Sequence, residues 1–308
     1  MGVVGCGCGG DWVATYARGW VMRYGSLCSG VEAATLAWHD LGWMPQFFSE
    51  IEPFCCRLLQ YRFPSVPNFG DMTKFKEWSN ATIDLLVGGT PCQAFSVAGL
   101  RQGLADPRGN LALIYLGVLD RYRPRWCVWE NVPGVLSSSG GRDFGAFLGA
   151  LAELGYGFAY RVLDAQNFGV PQRRRRVFVV GHLGDWRRAT AVLFERPSVR
   201  GDSKESNTSS KDSTCFALSS FGQYRRGTGT LRASGGNQGG GSEMLWVDNH
   251  GVRRLTPREC ERLQGMPDDW TLIPKATDSA RYKAIGNSMA VPVMRWIGEG
   301  IVAVDGSG

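Results

Sequence analysis

The sequence predicts an α/β fold built on a largely parallel sheet, and three observations predict it. Between Arg23 and His182 short apolar runs alternate with amphipathic stretches, the rhythm of βαβ units. Two of the expected strand ends carry a glycine turn and, 20 residues after Gly30, the acid Glu50, the spacing of a nucleotide-type site. At 308 residues the chain is long enough for one large domain with a smaller one inserted, each with a core.

The elements follow in order. Strands are expected at Tyr24 to Cys28, Gln46 to Glu50, Ile83 to Gly88, Trp126 to Glu130 and Val177 to Gly181, with helices near 31–41, 53–62, 109–121 and 143–154. After about Asp185 the periodicity lapses into a serine-rich stretch, Ser198 to Ser220, and a glycine- and arginine-rich one, Phe221 to Ser242. Phe216, Phe221, Tyr224, Leu231 and Trp246 supply more anchors than a linker needs, which predicts a small irregular binding module. Order returns at Arg253, where Thr256 as N-cap, Pro257 at the first helical position and Glu259 at the third predict a helix through Leu263. A last helix is expected over Ser288 to Val302. Residues 1–21, glycine-rich and without period, read as a disordered or untranslated extension, Met22 being an alternative start.

Composition narrows the function classes. A formal charge of +6 suits a polyanionic partner without requiring one. The nine cysteines are scattered and odd in number, so no disulfide framework is expected. The three histidines (39, 182, 250) stand apart and no Cys-x-x-Cys occurs, which argues against a metal. No apolar run reaches membrane-spanning length and no signal peptide is evident, so the reading is a cytoplasmic protein.

Chemistry concentrates at the strand ends. The first turn, Gly25-Ser26-Leu27-Cys28-Ser29-Gly30-Val31-Glu32, lets a ligand approach the backbone, and Glu50 can accept from ribose hydroxyls. Together they point to an adenosine-containing cofactor, with Asp71 available for an adenine amino group. The strand Ile83 to Gly89 runs into Thr90-Pro91-Cys92, placing a cysteine at the ligand-binding edge, before a loop from Gln93 to Gly109 that holds three glycines. One strand on, Val128-Trp129-Glu130-Asn131-Val132 sets a carboxylate among apolar neighbours that favour its protonated form. A nucleophile and a proton donor so placed can add to a conjugated ring while a ring nitrogen is protonated. A cysteine hydrolase would need a histidine base, for which His182 is the one candidate.

The chain resembles the DNA cytosine-5 methyltransferases. It carries that family's motifs in that family's order: the glycine turn at Leu27 to Ala33, Ser49-Glu50-Ile51-Glu52, Gly70-Asp71-Met72, Pro91-Cys92-Gln93, Glu130-Asn131-Val132, Gln172-Arg173-Arg174-Arg175-Arg176, Arg254-Leu255-Thr256-Pro257-Arg258-Glu259 and Gly286-Asn287-Ser288. The match covers about 22–182 and 253–302. The resemblance implies a class I S-adenosylmethionine-dependent methyltransferase, Rossmann-like with a mixed, mostly parallel sheet, plus a target-recognition domain. Its expected division is 22–184 for catalysis and cofactor, 185–270 for target recognition, and 271–308 for a C-terminal helix returning to the catalytic domain.

The resemblance also implies roles. Cys92 is the nucleophile toward C6 of a flipped cytosine, and Glu130 holds N3 and the exocyclic amine. Arg174 and Arg176 match the family's two arginines, the latter nearer the catalytic centre. Arg173 and Arg175 point the other way if the segment is extended. The cofactor, S-adenosylmethionine giving S-adenosylhomocysteine, falls to Leu27, Cys28, Ser29, Gly30, Glu50, Ile51, Asp71, Met72, Pro91, Asn287 and Ser288. Contacts to double-stranded DNA fall to Gln93, Ser96, Arg101, Gln172, Arg225, Arg226 and Arg232, an arginine being a natural bidentate partner for guanine. The chain departs from the family at Cys28, where an aromatic is usual, and at Glu32, where glycine is usual. The implied setting is bacterial or phage restriction-modification, with a monomeric enzyme and a separate cognate endonuclease. Action on RNA, or site occupancy without catalysis, are the alternatives.

Overall fold

The computed structural model describes residues 21–91, 111–195, 214–218, 224–231, 244–248 and 251–306. Its centre is a six-stranded sheet in the order β2-β1-β3-β4-β6-β5, formed by β1 (Arg23–Leu27), β2 (Met44–Ser49), β3 (Leu85–Gly89), β4 (Trp126–Asn131), β5 (Tyr156–Asp164) and β6 (Arg175–Leu183). Strands β2, β1, β3 and β4 pair in parallel, whereas β6 runs antiparallel to both β4 and β5. The sheet is thus mixed and mostly parallel, as expected. Strand β5, which the sequence pattern does not reveal, closes the antiparallel edge.

Successive strand residues feed two cores, because alternate side chains leave a strand on opposite faces. Tyr24, Phe48, Leu85, Val87, Trp126, Val128, Phe178 and Val180 face one core, and Leu27, Phe47, Leu86, Trp129, Val177 and Val179 the other. The first core is covered by α1 (Ala33–Trp38), α2 (Pro53–Arg62) and the last helix; the second is covered by α3 (Leu111–Tyr122) and α4 (Arg142–Glu153). This is a three-layer α/β/α arrangement.

Two boundaries move. The recognition segment was expected to begin at 185, but α5 (Trp186–Thr190) and the turn Ala191–Glu195 carry Ala189, Val192 and Leu193 into the first core. Met266, Trp270 and Ile273 lie in that core too, so apolar burial ties 186–193 and 266–273 to the catalytic body. Between them the described chain forms an antiparallel sheet, β10-β9-β7-β8, from β7 (Thr214–Leu218), β8 (Tyr224–Arg226), β9 (Met244–Asp248) and β10 (Gly251–Arg254), more regular than its composition implied. The chain then enters α6 (Pro257–Leu263), opened by the expected capping box of Thr256 and Glu259. The last helix, expected over Ser288 to Val302, is present a few residues later, and a helix that the sequence pattern did not indicate precedes it. Helix α7 (Asp278–Asn287) ends at Ser288, and α8 (Val291–Asp305) restarts with Pro292 in its first turn.

Candidate active site

The antiparallel course of β6 positions the site. Leu27 pairs with Gly88, Gly89 with Glu130 and Glu130 with Phe178, so the ends of β1, β3 and β4 and the start of β6 share one edge of the sheet. A cavity of about 500 Å³ opens there, walled by the β1 turn, Glu50, Ile51, Pro91, Glu130, Arg174, Arg176 and the 286–289 segment.

At one end, the first turn leaves β1 with Cys28, Gly30 and Glu32 all at positive φ (50°, 56° and 59°). Gly30 N donates to Oε2 of Glu50 at 2.7 Å, while Oε1 of Glu50 accepts from the amides of Ile51 and Glu52, both at 2.8 Å. Glu50 therefore ties the turn to the end of β2 and keeps acceptor capacity for hydroxyls. Ile51 beside it is 69% exposed, an apolar face where a purine can lie.

Leu27, Cys28, Ser29, Gly30, Glu50, Ile51, Pro91, Asn287 and Ser288 all line the cavity, but Asp71 and Met72 do not. Asp71 Oδ1 accepts from Thr73 N at 2.9 Å, capping a short 3₁₀ helix, and Met72 is buried with its sulfur 3.6 Å from Sγ of Cys28. Met72 thus supports the turn from behind. Cys28 takes the aromatic position as an unreactive thiol, its pKa pushed up to about 12 by burial and by neighbouring Glu50.

At the other end, Glu130 is buried, with Oε1 3.0 Å from Nε of Arg176. Burial raises its pKa above the ordinary carboxylate value, against the lowering pull of Arg174 and Arg176. Arg174 is also buried, and its guanidinium donates to three main-chain carbonyls: Leu231 at 3.1 Å, Gly286 at 3.2 Å and Ser288 at 2.6 Å. Desolvation, then Arg176, bring its pKa down to about 9. Arg173 and Arg175 are exposed, as the alternation of an extended segment requires.

Gln172 does not fit a DNA contact. Its side chain is fully buried, donating to Leu263 O at 2.8 Å and Gln264 Oε1 at 3.3 Å and accepting from Leu231 N at 3.3 Å. It anchors the 228–231 stretch from inside. Cys92, Gln93, Ser96, Arg101 and Arg232 lie outside the described residues, and Arg225 and Arg226 fall on β8.

The approach to Cys92 is held by residues the motif reading passed over. Trp129 Nε1 donates to Thr90 Oγ1 at 3.0 Å, and Asn131 Nδ2 donates to Thr90 O at 3.0 Å. Gly89 leaves room for the Glu130 and Met289 side chains, because a Cβ there would stand 3.0 Å from Glu130 Oε2 and 2.9 Å from Met289 Cε. Glu32, Lys283 and Met289, also unassigned from sequence, complete the wall. His182 pairs with Trp126 at the opposite end of β4, which removes it as a base for a thiol at this edge.

The residues present fit S-adenosylmethionine: a turn open at the backbone, acceptors for hydroxyls and an apolar shelf at one end, with a buried acid beyond. This fold and cavity define a class I S-adenosylmethionine-dependent methyltransferase. A family model described as C-5 cytosine-specific DNA methylase matches residues 22–220 and 194–303. The chain belongs to that family, the DNA cytosine-5 methyltransferases that draw their methyl group from S-adenosylmethionine.

Among its relatives, a protein of Escherichia phage P1 named DNA N-6-adenine-methyltransferase is 34% identical over 91% of this chain, which spans 61% of that protein's length. Type II methyltransferase M2.BsuMI of Bacillus subtilis (strain 168) is 32% identical over 93% of this chain and 77% of its own. The fold also matches the S. pombe Dnmt2 methyltransferase, with TM-score 0.64 and 17% identity over 92% of this chain and 98% of that one.

Proposed function

We propose that this chain transfers a methyl group to C5 of a cytosine flipped out of double-stranded DNA, in a specific sequence context, through a covalent bond between Cys92 and C6. The observation that carries the reading is the buried pairing of Glu130 with Arg176 at the cavity edge, in the register that leads β3 through Thr90 and Pro91 into Cys92.

A flipped base costs a few kcal/mol of lost stacking, offset by contacts in the pocket. The Cys92 thiolate adds to C6, and the ring electrons are accommodated as Glu130, whose proton burial holds more tightly than usual, donates toward N3. Arg176 keeps Glu130 in place and compensates its charge once the proton has gone. Bound S-adenosylmethionine supplies an electrophilic methyl group, which C5 takes. Loss of the C5 proton to a base and departure of the thiolate from C6 then restore the aromatic ring. Glu50, Ile51 and the turn around Gly30 hold the adenosine end, and Asn287 and Ser288 the methionine end.

Arg225, Arg226 and Arg232 serve base or phosphate recognition, and Gln93, Ser96 and Arg101 fill the gap left by the flipped base. The Type II names of the relatives support a restriction-modification setting with a separate endonuclease, and the methylase is read as a monomer. Bisulfite sequencing of DNA from a methylation-free host expressing the chain tests activity and target together. Protected cytosines in one repeated context, lost with Cys92→Ala, are expected. Methyl transfer to RNA alone, with none to duplex DNA, would overturn the reading.

A further inference from the structure

Glu32 is a buried acid with no cation beside it among the described residues. It stands where the family's turn has glycine, in the left-handed region (φ 59°, ψ 59°), a conformation that costs a non-glycine residue about 1–2 kcal/mol. It is 1% exposed, and every hydrogen bond it receives favours the ionised form. Ser26 Oγ donates to its Oε2 at 2.8 Å, and Thr35 N and Oγ1 lie 3.2 and 3.1 Å from its Oε1. Tyr24 OH, 2.6 Å from Thr35 Oγ1, can complete that relay.

Among the described residues no ion pair reaches Glu32, yet it forms part of the cavity wall with Ser26, Ala33 and Ala34. A carboxylate desolvated without a partner is costly. Its hydrogen bonds cap α1 through Thr35 N, and the carboxylate stands in the cavity wall with no cation beside it among the described residues.

We propose that Glu32 is the counterion for the sulfonium of the methyl donor, so that the cavity prefers the cationic donor to its neutral thioether product. The inference rests on the cavity being the donor site. Donor and product carry the same amino and carboxyl groups and differ at sulfur in the methyl and its charge, so the ratio of their affinities isolates Glu32's effect. Preference for the donor speeds release of product, whose affinity lacks this charge term.

Burial raises the Glu32 pKa to about 7. The titratable and charged groups around it are Tyr24 on β1, Cys28 in the turn, Glu50 after β2, and Lys283 on α7 across the cavity. If only the ionised form favours the donor, donor affinity falls about tenfold from pH 8 to pH 6, whereas product affinity follows only the groups both ligands share.

The test is calorimetric titration of the full chain, and of Glu32→Gln and Glu32→Gly, with S-adenosylmethionine and S-adenosylhomocysteine at pH 6 and pH 8. Glycine is unstrained at this φ, so that variant keeps the fold even if the glutamine does not. Both variants are expected to lose about tenfold in the donor-to-product affinity ratio and its pH dependence. An unchanged ratio in Glu32→Gly, or equal weakening of both ligands, would overturn the inference. Failure of the wild-type chain to bind either ligand would instead overturn the assignment of the cavity.

Discussion

Replacing Arg176 with methionine tests the pair at the centre of the site, and the structure sets both size and sign. Glu130 and Arg176 have side chains only 11% and 14% exposed, so water screens their 3.0 Å contact little. Removing one member of a buried pair costs about 3–5 kcal/mol because a desolvated charge is left behind. Arg174 still attracts Glu130, which places the expected loss near the lower bound, about 3 kcal/mol.

The loss depends on pH in a defined direction. The folded state binds the Glu130 proton more tightly than the unfolded chain does, so this group's contribution to stability is full below the ordinary glutamate value of about 4.3 and is lost as pH rises through the raised value. Without Arg176 that loss deepens. Urea denaturation should therefore show Arg176→Met destabilised by about 3 kcal/mol at pH 8 and by about 1 kcal/mol or less near pH 3, where Glu130 is neutral in both states. The double variant Arg176→Met with Glu130→Gln should recover most of the difference at pH 8. A penalty independent of pH, or no recovery in the double variant, would refute the account.

Three further outcomes are expected. Gly89→Ala puts a methyl group 3.0 Å from Glu130 Oε2, and should lower kcat about 10²-fold while the melting temperature moves by only a few degrees. Gly298→Ala places a Cβ 2.5 Å from the indole of Trp38, whose Nε1 donates to Met294 O at 2.8 Å. Overpacking there should cost about 1–3 kcal/mol in thermal denaturation, against at most about 1 kcal/mol gained in helix propensity. Glu50→Ala frees the amides of Gly30, Ile51 and Glu52, and should raise the donor KM about 10- to 100-fold in steady-state kinetics with kcat at saturating donor changed only a few-fold.

What was legible in the sequence was what local rules determine. Helix α2 occupies the predicted 53–62, and α6 starts at its predicted cap, because Pro53, Pro257 and the Thr256–Glu259 box act within one turn. The alternation of Arg173 to Arg176 followed from strand geometry alone. Strand β5 was hidden because it mixes Gly157, Ala159 and Arg161 and depends on pairing with β6. Helix α7 was hidden because its anchor is Arg281, buried against Glu261 and Thr271, a contact across 20 residues that no periodicity displays.

At Gln172 the company of a motif outweighed the signal of burial. Gln172 adjoins four arginines, yet it faces inward to Leu263 and Gln264.

The way the recognition segment is moored bears on how such an enzyme can diversify. Its tether to the catalytic body near Thr228 to Leu231 is largely main chain on the segment's side: Arg173 N to Thr228 O, Leu231 N to Gln172 Oε1, and Leu231 O to Arg174 Nη1. Apart from the Thr230 hydroxyl on Arg173 O, the polar chemistry of this tether resides in Gln172 and Arg174 and meets peptide groups of the segment, whose Leu231 side chain adds apolar packing beside Leu255, Leu263 and Ile285. A peptide bond is the same whatever side chain it bears. Substitutions within the segment can therefore leave these polar ties, and the docking geometry beside Glu130, in place.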